Sequence, residues 1–295
     1  MVQAESVEEA VRLVFGADTE VRARRAVGGG CINQAAILGL SGGITVFLKE
    51  NSARFRDMFR AEALGLSALR AAGGPRVPEP LACGEGPTGQ FLLIEYIEEG
   101  RKTAGFWERF GQELAELHRT NTQARCGFAS DNYIGSNIQE NGWTASWTEF
   151  FGEMRLRRQL ELARRNGYVS GVGNRIAAGV ERLIARLSSL LSEPASASLL
   201  HGDLWAGNYM VGQSGEPVLI DPAVYYGHRE AELAMTELFG GFDRRFYSAY
   251  ADSFPIEPGY AERRDIYNLY HMLNHLNLFG RSYEGSVSSI LARYA

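Results

Sequence analysis

The sequence predicts an α+β protein in two parts: a small N-terminal antiparallel sheet with one long helix, then a larger, mainly helical C-terminal region. Three observations carry this. Runs of β-formers separated by turn glycines crowd into the first part, as where Ser41-Gly42-Gly43 precedes Ile44-Thr45-Val46-Phe47-Leu48-Lys49. Apolar residues recur at helical spacing through most of the chain beyond Gly100. A short return of β-type sequence, at Leu199-Leu200, Tyr209-Met210-Val211 and Val218-Leu219-Ile220, interrupts those helices. The expected division is 1–97 and 98–295.

Taken in order, the first element is a helix. Ser6 and Glu9 form a capping box, and Val7, Ala10, Val11 and Val14 share one face. A strand over Val21–Val27 ends in Gly28-Gly29-Gly30, Ile32–Leu38 is the next strand, and the run ending at Lys49 is the third. A helix from Ser52 to Leu69, with Phe55, Phe59, Leu66 and Leu69 turned to the core, stops at Gly73-Gly74-Pro75. Phe91–Tyr96 is the clearest strand after it. In the second region helices are expected over Phe106–Arg119, from a second capping box at Ser146 and Glu149 toward Arg165, over Asn174–Leu191, and from Arg229 onward.

Composition excludes several classes. With 295 residues, 45% hydrophobic and 22% charged, the chain is neither disordered, collagen-like nor a coiled coil. Lys and Arg number 30 against 35 Asp and Glu, a net charge of −5 with a pI near 5.7, so no bulk attraction to nucleic acid or anionic membrane is expected. Mean hydropathy is −0.19, and no long apolar run suits a membrane span. Met1-Val2-Gln3-Ala4-Glu5 lacks the layout of a signal peptide. Cys31, Cys83 and Cys126 are too scattered for a disulfide framework or a zinc site, which makes a reducing cytoplasm the expected home.

The strongest local signal is His201-Gly202-Asp203-Leu204-Trp205-Ala206-Gly207-Asn208, between two strand-like stretches. A carboxylate at Asp203 can orient a hydroxyl nucleophile, and the amide oxygen of Asn208 can ligate a hard cation. The same residues also suit an ordinary turn. Asp221, at the end of Val218-Leu219-Ile220, supplies the second acidic group that a magnesium–phosphate site needs. Lys49 by itself reads as a strand-edge charge. Glu62 in the following helix is placed to pair with it, which would pin its ammonium for phosphate oxygens. Gly28-Gly29-Gly30 would let backbone approach phosphates closely, or make a flexible hairpin. Together the glycine hairpin, strand lysine, helix glutamate, H-x-D-x-x-x-x-N and strand-end aspartate stand in the order of a protein-kinase-type ATP site. That order implies a two-lobed kinase-like fold using ATP and Mg²⁺. Glu95, Tyr96 and Ile97 then form the hinge that offers backbone groups to adenine.

With His201-Gly202-Asp203 in place of H-R-D, the chain is similar to small-molecule kinases of the aminoglycoside and choline type. More narrowly it resembles the fructosamine kinase family. The likeness lies in Gly28-Gly29-Gly30-Cys31-Ile32-Asn33, Asp131-Asn132-Tyr133-Ile134-Gly135, Asn141-Gly142-Trp143, the loop from His201 to Asn208, and Asp221-Pro222-Ala223-Val224-Tyr225-Tyr226-Gly227-His228-Arg229-Glu230. It continues through Glu232-Leu233-Ala234-Met235, Phe239-Gly240-Gly241-Phe242 and His271-Met272-Leu273-Asn274-His275. Asp221-Pro222-Ala223 replaces D-F-G, so no switch by a flipping Phe is expected. The resemblance implies ATP-dependent phosphorylation of the 3-hydroxyl of ketosamines, the fructosamine and ribulosamine adducts of amines. Elimination of the 3-phosphate would then free the amine, a deglycation repair. The alternatives are another small-molecule hydroxyl kinase of the aminoglycoside or choline type, and a non-catalytic nucleotide-binding scaffold. The intact set of Lys49, Asp203, Asn208 and Asp221 argues against the scaffold.

These motifs assign roles. Asp203 is the expected catalytic group, and Asn208 and Asp221 the metal ligands. Gly28, Gly29, Gly30, Asn33, Lys49 and Glu62 belong to the nucleotide side. Trp205 either stacks on the sugar or fills core. By family analogy and polarity, Asp131, Trp143 and His228 line the acceptor pocket. His201 reads as a loop-shaping group, and His118 as a structural one at a helix C-terminus. His271 and His275 read as packing rather than metal ligands. Arg155, Arg157, Arg158, Arg164 and Arg165 read as a solvated face. Cys31 is a small apolar filler or a redox-sensitive thiol; the family, in which a strand-exchanged disulfide dimer occurs, implies a monomer or a homodimer through Cys31.

Overall fold

The computed structural model describes residues 1–28, 33–52, 57–86, 89–169 and 172–294. Chain contacts divide it into two compact units, Met1–Phe106 with Tyr209–Pro222, and Trp107–Asn208 with Ala223–Ala295.

The first unit opens with β1 (Val2–Ala4) and α1 (Val7–Phe15). Ser6 Oγ accepts the Glu9 N–H at 3.1 Å, and Glu9 reaches back to the N–H of Glu5 at 2.6 Å. The strands β2 (Val21–Val27), β3 (Gln34–Leu40) and β4 (Thr45–Asn51) pair antiparallel in sequence. After α2 (Met58–Ala72), β5 (Pro80–Gly86) and β6 (Gly89–Glu95) form another antiparallel pair. All six strands make one sheet in the order β1-β5-β6-β4-β3-β2, antiparallel except that β1 runs parallel to β5. Three residues are too short for a readable period, which is why sequence reasoning missed β1. Leu38, Val46, Leu48 and Leu93 pack with Ala10 and Val11 of α1 in the core of this unit. The α2 segment begins at Met58 rather than Ser52, and Phe55 lies outside the described residues.

The chain continues through α3 (Phe106–Thr120), β7 (Thr122–Gln123), and the hairpin of β8 (Asn132–Ile134) and β9 (Asn137–Gln139). One long helix comes next: α4 (Trp147–Phe150), a π-helical stretch Phe151–Arg157, and α5 (Arg158–Arg165). Then come α6 (Val172–Leu190), β10 (Ala197–Leu200), the hairpin of β11 (Tyr209–Val211) and β12 (Pro217–Leu219), and β13 (Tyr225–Gly227). The last helices are α7 (Arg229–Leu238), α8 (Arg244–Ser253), α9 (Tyr260–Phe279) and α10 (Glu284–Tyr294). In the second unit β10 lies between β13 and β7, and Trp147, Phe151, Leu183, Tyr267 and Leu273 anchor a largely helical core. Among the described residues, no helix is long and apolar enough to cross a membrane.

The hairpin β11–β12 belongs to the first unit although it lies far along the sequence. Its partners explain this. Glu99 bridges Gly212, and the Gly100 N–H bonds Val211 O at 2.9 Å. Arg76 exchanges main-chain hydrogen bonds with Pro217 and Leu219 at 3.1 and 2.8 Å.

One arginine overturns its sequence reading. Arg157, Arg158 and Arg164 do lie on an outer face, paired with Glu153, Glu140, Glu161 and Glu181. Arg155 is instead fully buried. The wider π-helical turn breaks the helical period there and rotates this residue inward. Among the described residues no carboxylate pairs with it. Nη1 donates to Glu140 O at 2.7 Å and Nη2 to Asn141 Oδ1 at 2.7 Å, while the guanidinium lies 4.1 Å from the Tyr225 ring centre and 4.4 Å from that of Phe150. Arg155→Ala is expected to destabilise the chain by about 3 kcal/mol, because it both opens a cavity and unpairs Asn141. Chemical denaturation checks this, and an unchanged midpoint would refute it.

Candidate active site

In the first unit, β4 runs between β3 and β6 as an interior strand, and α2 follows it in the chain. Lys49 is only 7% exposed. Its ammonium forms ion pairs with Glu62 of α2 and with Asp221, just past the end of β12. Burial is the largest influence on Lys49 and opposes its charge, but Asp221 and Glu62 outweigh it and hold the pKa above the ordinary lysine value. Burial likewise raises Glu62, with Lys49 opposing and Asp221 reinforcing the shift. Asp221 has a φ of 55°, a left-handed conformation that costs a non-glycine residue about 1 kcal/mol or more. Two carboxylates on one ammonium leave an excess of negative charge, and the Asp221 side chain is half exposed. A half-open carboxylate oxygen beside that excess fits magnesium, which takes one or two protein oxygens and completes its shell with phosphate and water. Among the described residues no group of three or more His, Cys, Asp or Glu gathers into a metal cage.

The remaining nucleotide-side residues surround this cluster in sequence. Gly28 comes directly after β2, and Asn33 Oδ1 accepts Asn51 Nδ2–H at 3.2 Å. Gly29, Gly30 and Cys31 lie outside the described residues. Glu95 ends β6, and its N–H is bound to Glu79 O at 2.8 Å. That donor is therefore already taken, which leaves Tyr96 and the buried Ile97 of the three residues expected at the hinge.

In the second unit, β10 delivers the loop from His201 to Asn208. Gly202 has a φ of 85°, and a Cβ there would overlap the carbonyl of Ala223. The Ala223 N–H bonds His201 O at 2.8 Å. His201 is buried, and its Nδ1 accepts the Asp203 N–H at 3.3 Å, the loop-shaping role expected of it. Asn208 Nδ2 donates to Asp203 O at 2.8 Å and to Asp203 Oδ2 at 3.1 Å. This pairing turns the amide oxygen of Asn208 away from Asp203.

The residue that organises this loop was missed. Glu232 of α7 is buried and accepts the N–H groups of His201 and Gly202 at 2.9 and 2.7 Å. It also meets His118 Nε2 at 3.0 Å, and His118 Nδ1 meets the Tyr250 hydroxyl at 2.8 Å. His118 is thus structural through a buried polar chain rather than through a helix dipole. Burial pushes Glu232 up, but His118 and the His201 backbone outweigh it and hold the carboxyl below its usual range. An acid set between Ala231 and the apolar run Leu233-Ala234-Met235 was the available signal.

The four acceptor-side residues separate into two pairs. Trp205 is 39% exposed, edge-on to Phe239 at 6.1 Å, which removes the core reading. Trp143 is also open, stacked on Tyr226 at 6.0 Å with the Arg125 guanidinium 5.4 Å from its ring. Asp131 instead braces its own loop by accepting the Asn141 N–H at 2.8 Å. His228 is buried at the N-cap of α7, where its Nδ1 accepts the Glu230 N–H at 3.2 Å. Burial lowers its pKa to about 4. His228 therefore shapes the helix that carries Glu232. His271 is buried, which lowers its pKa to about 3, and the His275 Nδ1 meets His271 O at 2.8 Å.

The mixed sheet with α2, followed by the helical second unit, is a protein-kinase-like fold. Macrolide 2′-phosphotransferase type I shares it across 95% of this chain and 93% of its own, with a TM-score of 0.57 at 14% identity. Residues 3–295 match the fructosamine kinase family, and the chain belongs to that family. It is a phosphotransferase that uses ATP. A protein of Synechocystis named "Probable ketoamine kinase" is 43% identical over 97% of this chain and 95% of its own length. The chloroplastic protein-ribulosamine 3-kinase of Arabidopsis thaliana is 41% identical, over 96% and 85%. A crystal structure from Haemophilus somnus, of a protein assigned as fructosamine-3-kinase, superposes with a TM-score of 0.88 at 28% identity, covering 98% of this chain and 96% of its own.

Because the Glu232 carboxyl lies below its usual value of 4.5, its stabilising share is fully present above that pH and is lost as pH falls through the lower folded value. Glu232→Gln is therefore expected to cost about 3 kcal/mol at neutral pH, with the gap to wild type narrowing in acid. Urea denaturation of both proteins near neutrality and well below pH 4.5 checks this. A gap that does not change with pH would refute it.

Proposed function

We propose that the chain is an ATP-dependent ketosamine kinase that phosphorylates the 3-hydroxyl of fructosamine or ribulosamine adducts in the cytoplasm. The observation that carries this reading is Lys49 held between Glu62 and Asp221. That arrangement presents a fixed positive charge beside an open carboxylate, which suits a magnesium-bound polyphosphate. The names of the relatives, ketoamine kinase and protein-ribulosamine 3-kinase, support the acceptor class.

In this reading Lys49 contacts the α- and β-phosphates and Glu62 keeps its ammonium in place. Gly28, Gly29, Gly30 and Asn33 border the phosphates, and Tyr96 and Ile97 offer backbone to adenine. Asp221 would offer Mg²⁺ a carboxylate oxygen and Asn208 its amide oxygen; the ion would supply neutralisation of the charge developing on the phosphates. Asp203 accepts a hydrogen bond from the acceptor hydroxyl and takes up its proton, its carboxylate steadied by Asn208. The open faces of Trp205 and Trp143 suit a sugar ring. Asp131 and His228 serve by bracing the loops behind them. Most of the work is positioning and charge stabilisation.

An acceptor panel of fructosamine, ribulosamine, an aminoglycoside and choline, scored by ATP consumption, tests the reading. Turnover is expected with the ketosamines and not with the other two. Asp203→Ala should lower ketosamine turnover by about 10²–10⁴ while ATP binding persists. Near-normal turnover in that variant, or preference for an aminoglycoside or choline, would overturn the reading.

A further inference from the structure

We propose that Arg76 is a positioning residue that ties the end of β6, beside the adenine hinge, to the strand that delivers Asp221. It thereby fixes the metal-binding carboxylate relative to the nucleotide base. The inference rests on Asp221 acting as a magnesium ligand, as proposed above.

Arg76 comes just after the Gly73-Gly74-Pro75 stop of α2, and both its main chain and its side chain are engaged. Its N–H bonds Pro217 O at 3.1 Å, and its carbonyl accepts the Leu219 N–H at 2.8 Å, so it pairs with β12 like a one-residue strand. Its guanidinium then forks. Nη1 reaches Glu216 Oε1 at 2.7 Å, and Nη2 reaches Glu95 Oε1 at 2.5 Å. Glu95 is the last residue of β6, and its other oxygen accepts the Glu79 N–H at 3.1 Å. Glu216 immediately precedes β12, and its carboxylate is nearly buried. Burial opposes its charge, but Arg76 together with backbone N–H groups outweighs burial and holds the carboxyl below its usual range. The turn between β11 and β12 is closed around this group, because a Cβ at Gly212 would overlap the Glu216 carboxylate.

The consequence falls on Asp221. A left-handed aspartate persists only where its surroundings over-determine it. On one side stands Pro222, with its fixed φ. On the other stands β12, whose strand partners are β11 and Arg76. A planar fork that grips two carboxylates at once sets a distance between them, which a lysine could not do. Here one carboxylate ends the strand that leads to the hinge, and the other stands just before β12, whose far end leads to Asp221. Groups that orient a metal ligand typically change metal affinity 10–100-fold when removed, without touching the metal themselves.

Calorimetric titration of the whole protein with ATP in Mg²⁺, with ATP in EDTA, and with adenosine alone tests this without any turnover. In wild type, Mg²⁺ is expected to tighten ATP binding. In Arg76→Gln that magnesium-dependent gain should fall about tenfold, with adenosine affinity retained. An undiminished gain, or an equal loss of adenosine and ATP affinity, would overturn the proposal, the latter by making Arg76 merely structural. Should Arg76→Gln fail to fold, Glu216→Gln removes one branch of the fork; it should show a smaller loss of the same gain, and no loss would be equally fatal. Asp221→Asn separates the two layers. If it keeps the full magnesium gain, the metal-ligand reading fails and takes this proposal with it. If it loses the gain while Arg76→Gln and Glu216→Gln keep it, only the role of Arg76 fails.

Discussion

A lysine buried in the middle of a sheet and shared by two carboxylates is the constraint on which the first unit depends. Attraction within a charge pair near a protein surface is worth about 4 kcal/mol, and taking each ion out of water costs several. The cluster of Lys49, Glu62 and Asp221 is therefore close to break-even for folding, and its half-exposed member is screened further. Such a cluster is explained by what it presents rather than by what it stabilises. It requires α2 to lie where Glu62 can reach β4, and it requires a hairpin from far along the chain to end beside the same strand. The mixed sheet and the fork of Arg76 meet both requirements.

The second unit solves a different problem with different means. Asp203 and Asn208 sit on a tight loop, and a loop holds a shape only when its backbone groups find partners. Glu232 supplies two of those acceptor contacts from a neighbouring helix, and His118 and Tyr250 keep its charge satisfied in a dry interior. Gly202 permits the left-handed turn, and Asn208 closes the loop back onto Asp203. One unit thus places charge, on Lys49 between Glu62 and Asp221, and the other places a hydrogen-bonding carboxylate on a loop held by buried groups that take no part in the chemistry proposed for it.

The groups that bear chemistry were legible in the sequence because their context is local. Lys49 ends a β-run, Asp203 and Asn208 share one loop, and Asp221 comes after a short strand. Capping boxes at Ser6 and Ser146 located helix starts, for the same reason. The features that escaped were set by distant partners. Arg155 looks like one charge in a solvated row until a π-helical turn rotates it inward. Glu232 looks like any helix acid until the strand and loop it supports are folded beside it. Glu95 was valued for its backbone, whereas its side chain does more, as one arm of the Arg76 fork. His228 and Asp131 were expected in the acceptor pocket by family analogy and polarity, neither of which foretells the cap and the loop brace that the two residues make.

A crystal structure with Mn²⁺ and a non-hydrolysable ATP analogue tests the central claim most directly, since manganese is located by its own anomalous signal. The account predicts a peak bonded to the Asp221 carboxylate, with phosphate oxygens within hydrogen-bond reach of Lys49 Nζ and Glu62 still paired to it. Manganese or triphosphate bound elsewhere, with the Lys49 cluster untouched, would contradict it.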